Sequence, residues 1–500
     1  MSSKTEVLVI LLSTILMIVG MGYALKIADL IIIPLLIKLL SITVLSRSII
    51  LFPLYFIFAA YFPVGYAYGP PDFGIIASFL ESNYRESIEF TQSLPASSFV
   101  GSLLIMLCFI YLQFFCWQKN QVKPELMLIL LAVLFSVSLG KLIGGGVTKV
   151  KFIDFYYSLY SSYRQYFDDK ADSIMGSQLT PSWQIESVSG RYKNHVLILG
   201  ESMRKDYMPA YGYPVNTMPF LQRTPGIFWD GYVSTASNTY LSVPRLLSRN
   251  QGTKYSHADN IITLANMAGI QTHWISNQGR FGEFDTSAAR IAVRSHAIDF
   301  LKKGSFNSNN RSDMDLLPIL ADSLNNEYSG GRLYVLHLMG SHGHFCDRLN
   351  GESPIPYFSN NLDMSCYLST YTKTDELIRL VVEMLDNKKE SYSLIYLTDH
   401  GLSHQDGSLI HGSRYRENYE SPLVIISSDM LDRKYIHLRR SGFHFINALA
   451  EWMGIVETGL NTHYKFFSED SESKIEVFNG KEMIDFDSLS SDEFILPETS

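Results

Sequence analysis

Three scarcities narrow what this 500-residue chain can be. Cysteine occurs four times and never as Cys-x-x-Cys, which removes the zinc-ribbon and thioredoxin-like patterns built on that spacing. Charge is sparse, at 18% against 47% hydrophobic residues, and the cations are outnumbered. The formal net charge is −8, so the basic footprint of a nucleic-acid binder is missing. No convincing internal repeat is found either. What remains is a chain too long for one ordinary domain, with its apolar residues concentrated at one end.

Residues 1–146 hold five apolar stretches, at 6–25, 28–46, 49–66, 97–117 and 126–144. Each approaches the ~20 residues that a helix needs to cross a bilayer. The expectation is a transmembrane domain of five helices. The second stretch carries Lys38 and could instead form a re-entrant hairpin with the first. The first is not read as a cleaved signal, because no small-residue cleavage site follows it. Lys4, Arg47, Lys119 and Lys123 fall on one side if all five cross, and the loop 67–96, with Asp72, Glu81, Glu86 and Glu89 against Arg85, falls on the other. Basic loops stay inside, so everything after Gly146 is expected outside the cytoplasm. There a Cys346–Cys366 disulfide becomes available. Cys108 and Cys116 lie in an apolar run and read as inert thiols.

Residues 147–192 read as a connection. Phe152, Phe155, Tyr156, Leu159, Tyr160 and Tyr163 recur on one face of a helix over 150–167. That face suits either the membrane interface or the surface of the following domain. A polar linker is expected over 168–191.

From 193 to 500 the pattern alternates between strands and helices. Apolar runs at 195–200, 272–276, 333–340, 393–399 and 422–427 each read as a buried parallel strand. Helix-like stretches such as 367–387 and 444–453 lie between them. The expected fold is an α/β domain with a mainly parallel central sheet. The acidic tail beyond about 466 adds a candidate last strand at 474–479 and is expected to fray toward Ser500.

Sites in such sheets form beyond the carboxyl ends of the strands. There the sequence places Gly200-Glu201-Ser202, Gly340-Ser341-His342-Gly343 and Asp399-His400-Gly401, with His411-Gly412 a short loop further on. Carboxylates and imidazoles suit zinc, and a catalytic zinc takes about three protein ligands with one position open. Glu201, Asp399 and His400 supply three. Singly, each has an ordinary reading as a helix cap, a loop residue or a surface histidine. His337, inside an apolar run, reads as a core histidine. In the polar loop STASNT, Thr239, Thr235, Ser237 and the nearby Ser242 are all candidate nucleophiles.

Taken together, these segments resemble the catalytic domain of the lipid A phosphoethanolamine transferases, of the alkaline phosphatase and sulfatase superfamily. The resemblance lies in Gly200-Glu201-Ser202, Arg204, Gly212-Tyr213 and Thr217-Met218-Pro219, then STASNTYLSVPRLLSR (234–249), LHLMGSHGHF (336–345), LTDHG (397–401) and His411-Gly412. It covers about 194–430. It implies that Thr239, five residues before the proline of Ser-Val-Pro, is the nucleophile and a zinc ligand beside Glu201, Asp399 and His400. It implies that His342 and His411 hold the phosphate, the leaving group or a second metal. It places polar substrate contacts near Asn277 and Arg280. The implied donor is phosphatidylethanolamine and the implied acceptor a lipopolysaccharide glycolipid or glycan, worked on by a monomer at a bacterial inner membrane with the catalytic domain in the periplasm. LSHQDGSL (402–409) departs from the family's acidic, serine-rich stretch, which leaves His404 and Asp406 without assigned roles.

Other readings compete. A phosphoglycerol transferase acting on a periplasmic glucan or other glycan would use the same metal and threonine. A sulfatase would need Cys/Ser-x-Pro-x-Arg, and Ser242-Val243-Pro244-Arg245 brings the arginine one residue early. A degenerate scaffold would lack some of Glu201, Thr239, Asp399 and His400, and all four are present.

Overall fold

The computed structural model describes all residues except 1–2, 42, 83, 117–150, 281–286, 304–310, 406, 461–463 and 498–500. The fifth apolar stretch, 126–144, and the loop lysines Lys119 and Lys123 lie outside the described residues. The chain forms two compact units. One comprises Met1–Ile76 with Phe90–Tyr166, and the other Ala77–Glu89 with Phe167–Ser500.

In the first unit, α1 (Ser3–Gly20) and α2 (Ile27–Leu40) take up the first two apolar stretches. Helix α2, in the second stretch, has 14 residues. At ~1.5 Å per residue it spans only about 21 Å, short of the ~30 Å hydrocarbon core. Pro34 lies inside it, and Lys38 near its end pairs with Glu6 of α1 at 2.5 Å. The third stretch becomes α3 (Phe52–Tyr68), and the fourth α4 (Ala96–Tyr111). Among the described residues, two segments, Val44–Tyr68 with 25 residues and Ala96–Phe115 with 20, are long and apolar enough to cross a membrane.

Helix α5 (Lys151–Gln178) starts where the aromatic face is expected but runs on through 168–178, the start of the expected linker. No proline interrupts 151–180, and polar side chains alone do not end a helix. The first half of its aromatic face packs inside the first unit. Phe155 is fully buried, with ring centroids 5.4 Å from Phe58 and 5.1 Å from Tyr61 of α3. Tyr160 and Tyr163 are exposed.

The second unit is built on an eight-stranded sheet. Its strands are β1 (Asn194–Gly200), β2 (Gly226–Trp229), β3 (Gln271–Arg280), β4 (Ala297–Lys303), β5 (Arg332–His337), β6 (Tyr392–Thr398), β7 (Leu423–Ser427) and β8 (Arg433–Ile436). Their spatial order is β8-β2-β7-β6-β1-β5-β3-β4. From β6 through β4 all neighbours are parallel. The run at 422–427, expected to be parallel, is antiparallel to both β6 and β2. All five residues of β7 are buried, so its apolar run looks the same in either direction. The connection from β6 holds only a small hairpin (Ser403–Gln405 with Ser408–Ile410) and a turn at Arg416–Asn418. A parallel return is usually made through a crossover helix, and the described residues of this connection form none. Strands β4 and β8, which are the two edges, contain lysines and an arginine. Charge of that kind protects an edge and hides the strand from a search for apolar runs.

Alternation along β1 sends Val196 and Ile198 into a core with α6 (Leu316–Asn325) and α7 (Leu362–Lys388) on one face. Leu197 and Leu199 enter the opposite core, which includes Leu246 and Ala448. Residues Glu476–Phe478, expected as a last strand, pair instead with Met483–Asp485 in a separate hairpin.

Candidate active site

Strand register decides which side chains meet. In the parallel pair β1–β6, Gly200 lies opposite Thr398, so Glu201 and Asp399 leave adjacent strands at the same level. On the other side of β1, Leu199 pairs with His337, which sends the chain toward His342 from the same edge. Thr239 is the first residue of a nine-residue helix, Thr239–Leu247, capped by the Asn238 side chain.

These elements bring Glu201, Asp399, His400 and Thr239 together. One donor atom from each of Glu201, Asp399 and His400 lies within 4.8 Å of the others, and all three residues are buried. Thr239 Oγ1 donates to Glu201 Oε2 at 2.9 Å and lies 3.3 Å from His400 Nε2. His400 Nε2 is 3.4 Å from both Glu201 Oε1 and Asp399 Oδ2. His400 Nδ1 donates to the Gly401 carbonyl at 2.9 Å, which aims Nε2 into the cluster. Asp399 Oδ1 accepts from the backbone N–H groups of His400 (2.9 Å) and Ser202 (3.2 Å). Its Oδ2 is buried with no hydrogen-bond partner. An orphaned carboxylate oxygen between a second carboxylate and an imidazole is costly unless a cation satisfies it. The donor set therefore fits a borderline divalent ion such as zinc.

Burial pushes the Glu201 carboxyl up, but the hydrogen bond and charge of His400 outweigh it and hold the group well below the usual carboxylate range. Burial, then the Glu201 charge, raises Asp399 to about 7. Burial pulls His400 down, yet the charge of Asp399 and the Glu201 hydrogen bond lift it to about 9. His411 is pushed the other way, to about 3, by burial and then by the neighbouring His400 and His342. Its ring lies 4.9 Å from that of His400 and 6.4 Å from that of His342.

Three other hydroxyls in and beside the polar loop are engaged elsewhere, while Ser237 meets His411 through its backbone. Ser234 and Ser242 both donate to the Asp399 carbonyl, and Thr235 donates to the Ser242 carbonyl at 3.3 Å. Asn277 is fully buried, and its amide donates to the Arg311 carbonyl (2.9 Å) and to Asp313 Oδ1 (2.8 Å). Asp313 in turn accepts from the backbone N–H groups of Met339 and Gly340 at 2.8 and 2.9 Å. Asn277 thus braces the loop leading to His342. The side chain of Arg280 and all of Asp406 lie outside the described residues. His337 is buried edge-on to Trp274, and burial lowers it to about 4.

Several residues around the site carried no assigned role in the sequence. Ser202 has φ +57°, a conformation that non-glycine residues rarely hold without compensation. Its backbone N–H binds Asp399, and its hydroxyl donates to Glu201 Oε1 at 2.6 Å. Arg348 donates to the carbonyls of His342 (3.3 Å) and Gly343 (2.9 Å) and reaches Glu89 Oε2 at 2.6 Å in a buried pair. Glu89 lies between apolar helices in the sequence, so nothing local marked it.

Two glycines are demanded by close approach. Gly340 has φ +48°, and a Cβ there would lie 3.0 Å from Glu201 N. A Cβ on Gly401 would lie 2.0 Å from the Glu417 carbonyl oxygen. Gly401→Ala is expected to destabilise the protein by about 1–3 kcal/mol through overpacking, read from thermal unfolding. Cys346 and Cys366 form a disulfide that joins the turn after His342 to α7 across 20 residues. Its removal in Cys366→Ser is expected to cost about 3 kcal/mol in the loop-entropy picture, read from the denaturant midpoint against oxidised wild-type protein.

The sulfatase family model matches residues 193–455. The fold and the buried cluster therefore define a sulfatase-type catalytic domain. Phosphoethanolamine transferase OpgE of Escherichia coli strain K12 is 33% identical over 456 residues, which is 87% of this chain and 86% of that protein. Two solved structures share the fold at 17% identity. The integral membrane lipooligosaccharide phosphoethanolamine transferase A of Neisseria meningitidis aligns with a TM-score of 0.61 over 93% of this chain and 97% of its own. The zinc complex of the C-terminal periplasmic domain of EcEptC from Escherichia coli aligns with a TM-score of 0.53 over 62% of this chain and 96% of its own. The chain belongs to the phosphoethanolamine transferases.

Proposed function

We propose that this protein transfers phosphoethanolamine from phosphatidylethanolamine to an envelope glycolipid, lipid A or a core sugar of lipopolysaccharide, through a phospho-Thr239 intermediate. The observation that carries the proposal is the Thr239 hydroxyl, 2.9 Å from Glu201 Oε2 and 3.3 Å from His400 Nε2, beside the orphaned Asp399 oxygen. Glu201, Asp399, His400 and Thr239 would hold zinc. Bound there, zinc supplies Lewis-acid chemistry that lowers the pKa of the hydroxyl and shields phosphoryl oxygens. The zinc complex of a fold neighbour supports this choice of ion.

Thr239 Oγ1 forms the new bond to phosphorus as the bond from phosphorus to the diacylglycerol oxygen breaks. The threonine hydroxyl gives up its proton to solvent, and the leaving oxygen takes a proton from His342, since burial and the neighbouring histidines keep His411 unprotonated. In the second half the acceptor returns a proton to that histidine as its oxygen displaces Thr239. Because Thr239 begins a helix, the positive end of the helix dipole faces the incoming phosphate. Residues 1–146 would be the multi-pass anchor in a bacterial inner membrane, 147–192 the connection, and 193–500 the periplasmic catalytic domain. Such an anchor holds the site at the headgroup plane and raises the effective donor concentration.

Mass spectrometry of envelope glycolipids from cells with and without the protein tests this. An added phosphoethanolamine unit in the first sample is the expected result. Identical spectra, or transfer of label from a glycerol headgroup, would rule the assignment out.

A further inference from the structure

The loop bearing Glu201 and the loop bearing Asp399 and His400 are joined a second time, outside the cluster, by a segment far away in the sequence. Arg204, three residues after Glu201, has a guanidinium with no solvent exposure. Asp206 takes its Nε and Nη2 at 2.9 and 2.6 Å. Asp492 Oδ2 takes its Nη1 at 2.7 Å and also accepts the backbone N–H of His404, four residues after His400, at 2.8 Å. His404 Nδ1 lies 3.0 and 3.1 Å from the two Asp492 oxygens, and its Nε2 lies 2.7 Å from the Tyr207 hydroxyl. Consistent donors follow. Nδ1–H faces the carboxylate, and the tyrosine donates to Nε2 while accepting from Ile495 N at 3.0 Å.

The rest of the segment is fastened to the same loops. Arg416 N donates to the Ser490 carbonyl at 2.9 Å, and Ser491 Oγ and Asp492 N donate to Glu417 at 2.7 and 2.8 Å. Glu417 is the residue whose carbonyl presses on Gly401, and Arg204 Cγ would lie 3.4 Å from a Cβ there. Burial opposes ionisation of Asp492, but its bonds to His404 and the charge of Arg204 hold the carboxyl below the usual carboxylate range. Residues 490–495 are thus fixed to these loops.

We propose that Asp492 is a positioning residue for the metal cluster. Its carboxylate ties Arg204 to His404 and so sets the spacing between Glu201 on one loop and Asp399 and His400 on the other. Buried Arg204 needs its anionic partners. Without the Asp492 carboxylate, Arg204 Nη1 keeps only the Leu402 carbonyl at 3.4 Å as an acceptor, and the 402–404 segment loses the bond that pins its backbone. This inference rests on the reading that Glu201, Asp399 and His400 hold zinc.

The test is the rate at which the purified full chain, in detergent and loaded with zinc, gives the ion up to a chromogenic chelator. Asp492→Ala is expected to release zinc about tenfold faster or more, the scale of effect for residues that orient metal ligands, and Asp492→Asn to fall between it and wild type. Ser491→Ala, which removes a fastening bond without touching Arg204 or His404, is expected to release zinc at the wild-type rate. Thermal melts accompany each sample. Wild-type release from Asp492→Ala, or acceleration no greater than in Ser491→Ala, overturns the proposal. If Asp492→Ala does not fold, Asp492→Asn decides by the same comparison. A wild-type chain that takes up no zinc ends the zinc reading itself, whereas zinc uptake with unaffected variants ends only the role of Asp492.

Discussion

Thr239→Ala is expected to reduce transfer on the order of 10⁴-fold or more, the scale seen when a nucleophile is removed from a constellation that acts as a unit. At about 1.36 kcal/mol per decade this is at least about 5.5 kcal/mol of transition-state stabilisation. Three neighbouring hydroxyls are committed elsewhere. Ser234 and Ser242 are committed to the Asp399 carbonyl, and Thr235 to the Ser242 carbonyl. Thr239 is half-buried, and the cap from Asn238 to Leu241 N survives the change. The melting temperature should therefore move little, since substitutions that leave caps and core intact stay within about 1 kcal/mol. The decisive readout is a covalent phosphoethanolamine adduct on the peptide containing residue 239, present in wild type given donor lipid alone and absent in the variant. Near-wild-type turnover by Thr239→Ala would rule out the covalent route.

Asp399→Asn should separate metal binding from folding. The two backbone N–H groups that bind Oδ1 can still bind the amide oxygen. The orphaned Oδ2 becomes an NH₂ that points hydrogens where a cation would sit. Dividing the about 10–16 kcal/mol of a protein zinc site among four donors gives roughly 3 kcal/mol per ligand, or about a hundredfold in affinity. Zinc affinity, measured by chelator competition, is expected to fall by at least that factor, with transfer falling alongside. Stability in chelator should hold or rise, because the change relieves two buried carboxylates of which one has an unpartnered oxygen. A variant that binds zinc normally would show that Asp399 is not a ligand. Collapse of the fold would show that its carboxylate is needed for structure first.

Legibility in the sequence followed physical scale. Strands β1, β5 and β6 stand out as runs rich in Val, Ile and Leu because a parallel strand buried on both faces is largely apolar. The same logic misdirected β7, since burial on both faces carries no information about direction. Edge strands β4 and β8 escaped because edges carry charge. Within the site, residues directly after strand ends could be named from the sequence, since chain connectivity alone puts Glu201 and Asp399 at an edge. Asp313, the Glu89–Arg348 pair and the Arg204–Asp492–His404 bridge could not. Each joins segments tens to hundreds of residues apart, and no local pattern records such a meeting.

By itself the sequence determined that one end of the chain is apolar and the other an α/β unit with carboxylates and histidines at strand ends, because hydropathy and periodicity are local properties that composition imposes. The tertiary structure alone decided that Gly200 faces Thr398, that the Thr239 hydroxyl and not its neighbours meets Glu201 and His400, and that one oxygen of Asp399 is left without a partner. Register and long-range hydrogen bonding arise only when the whole sheet closes, and that closure selects the side chains that come within reach of one another.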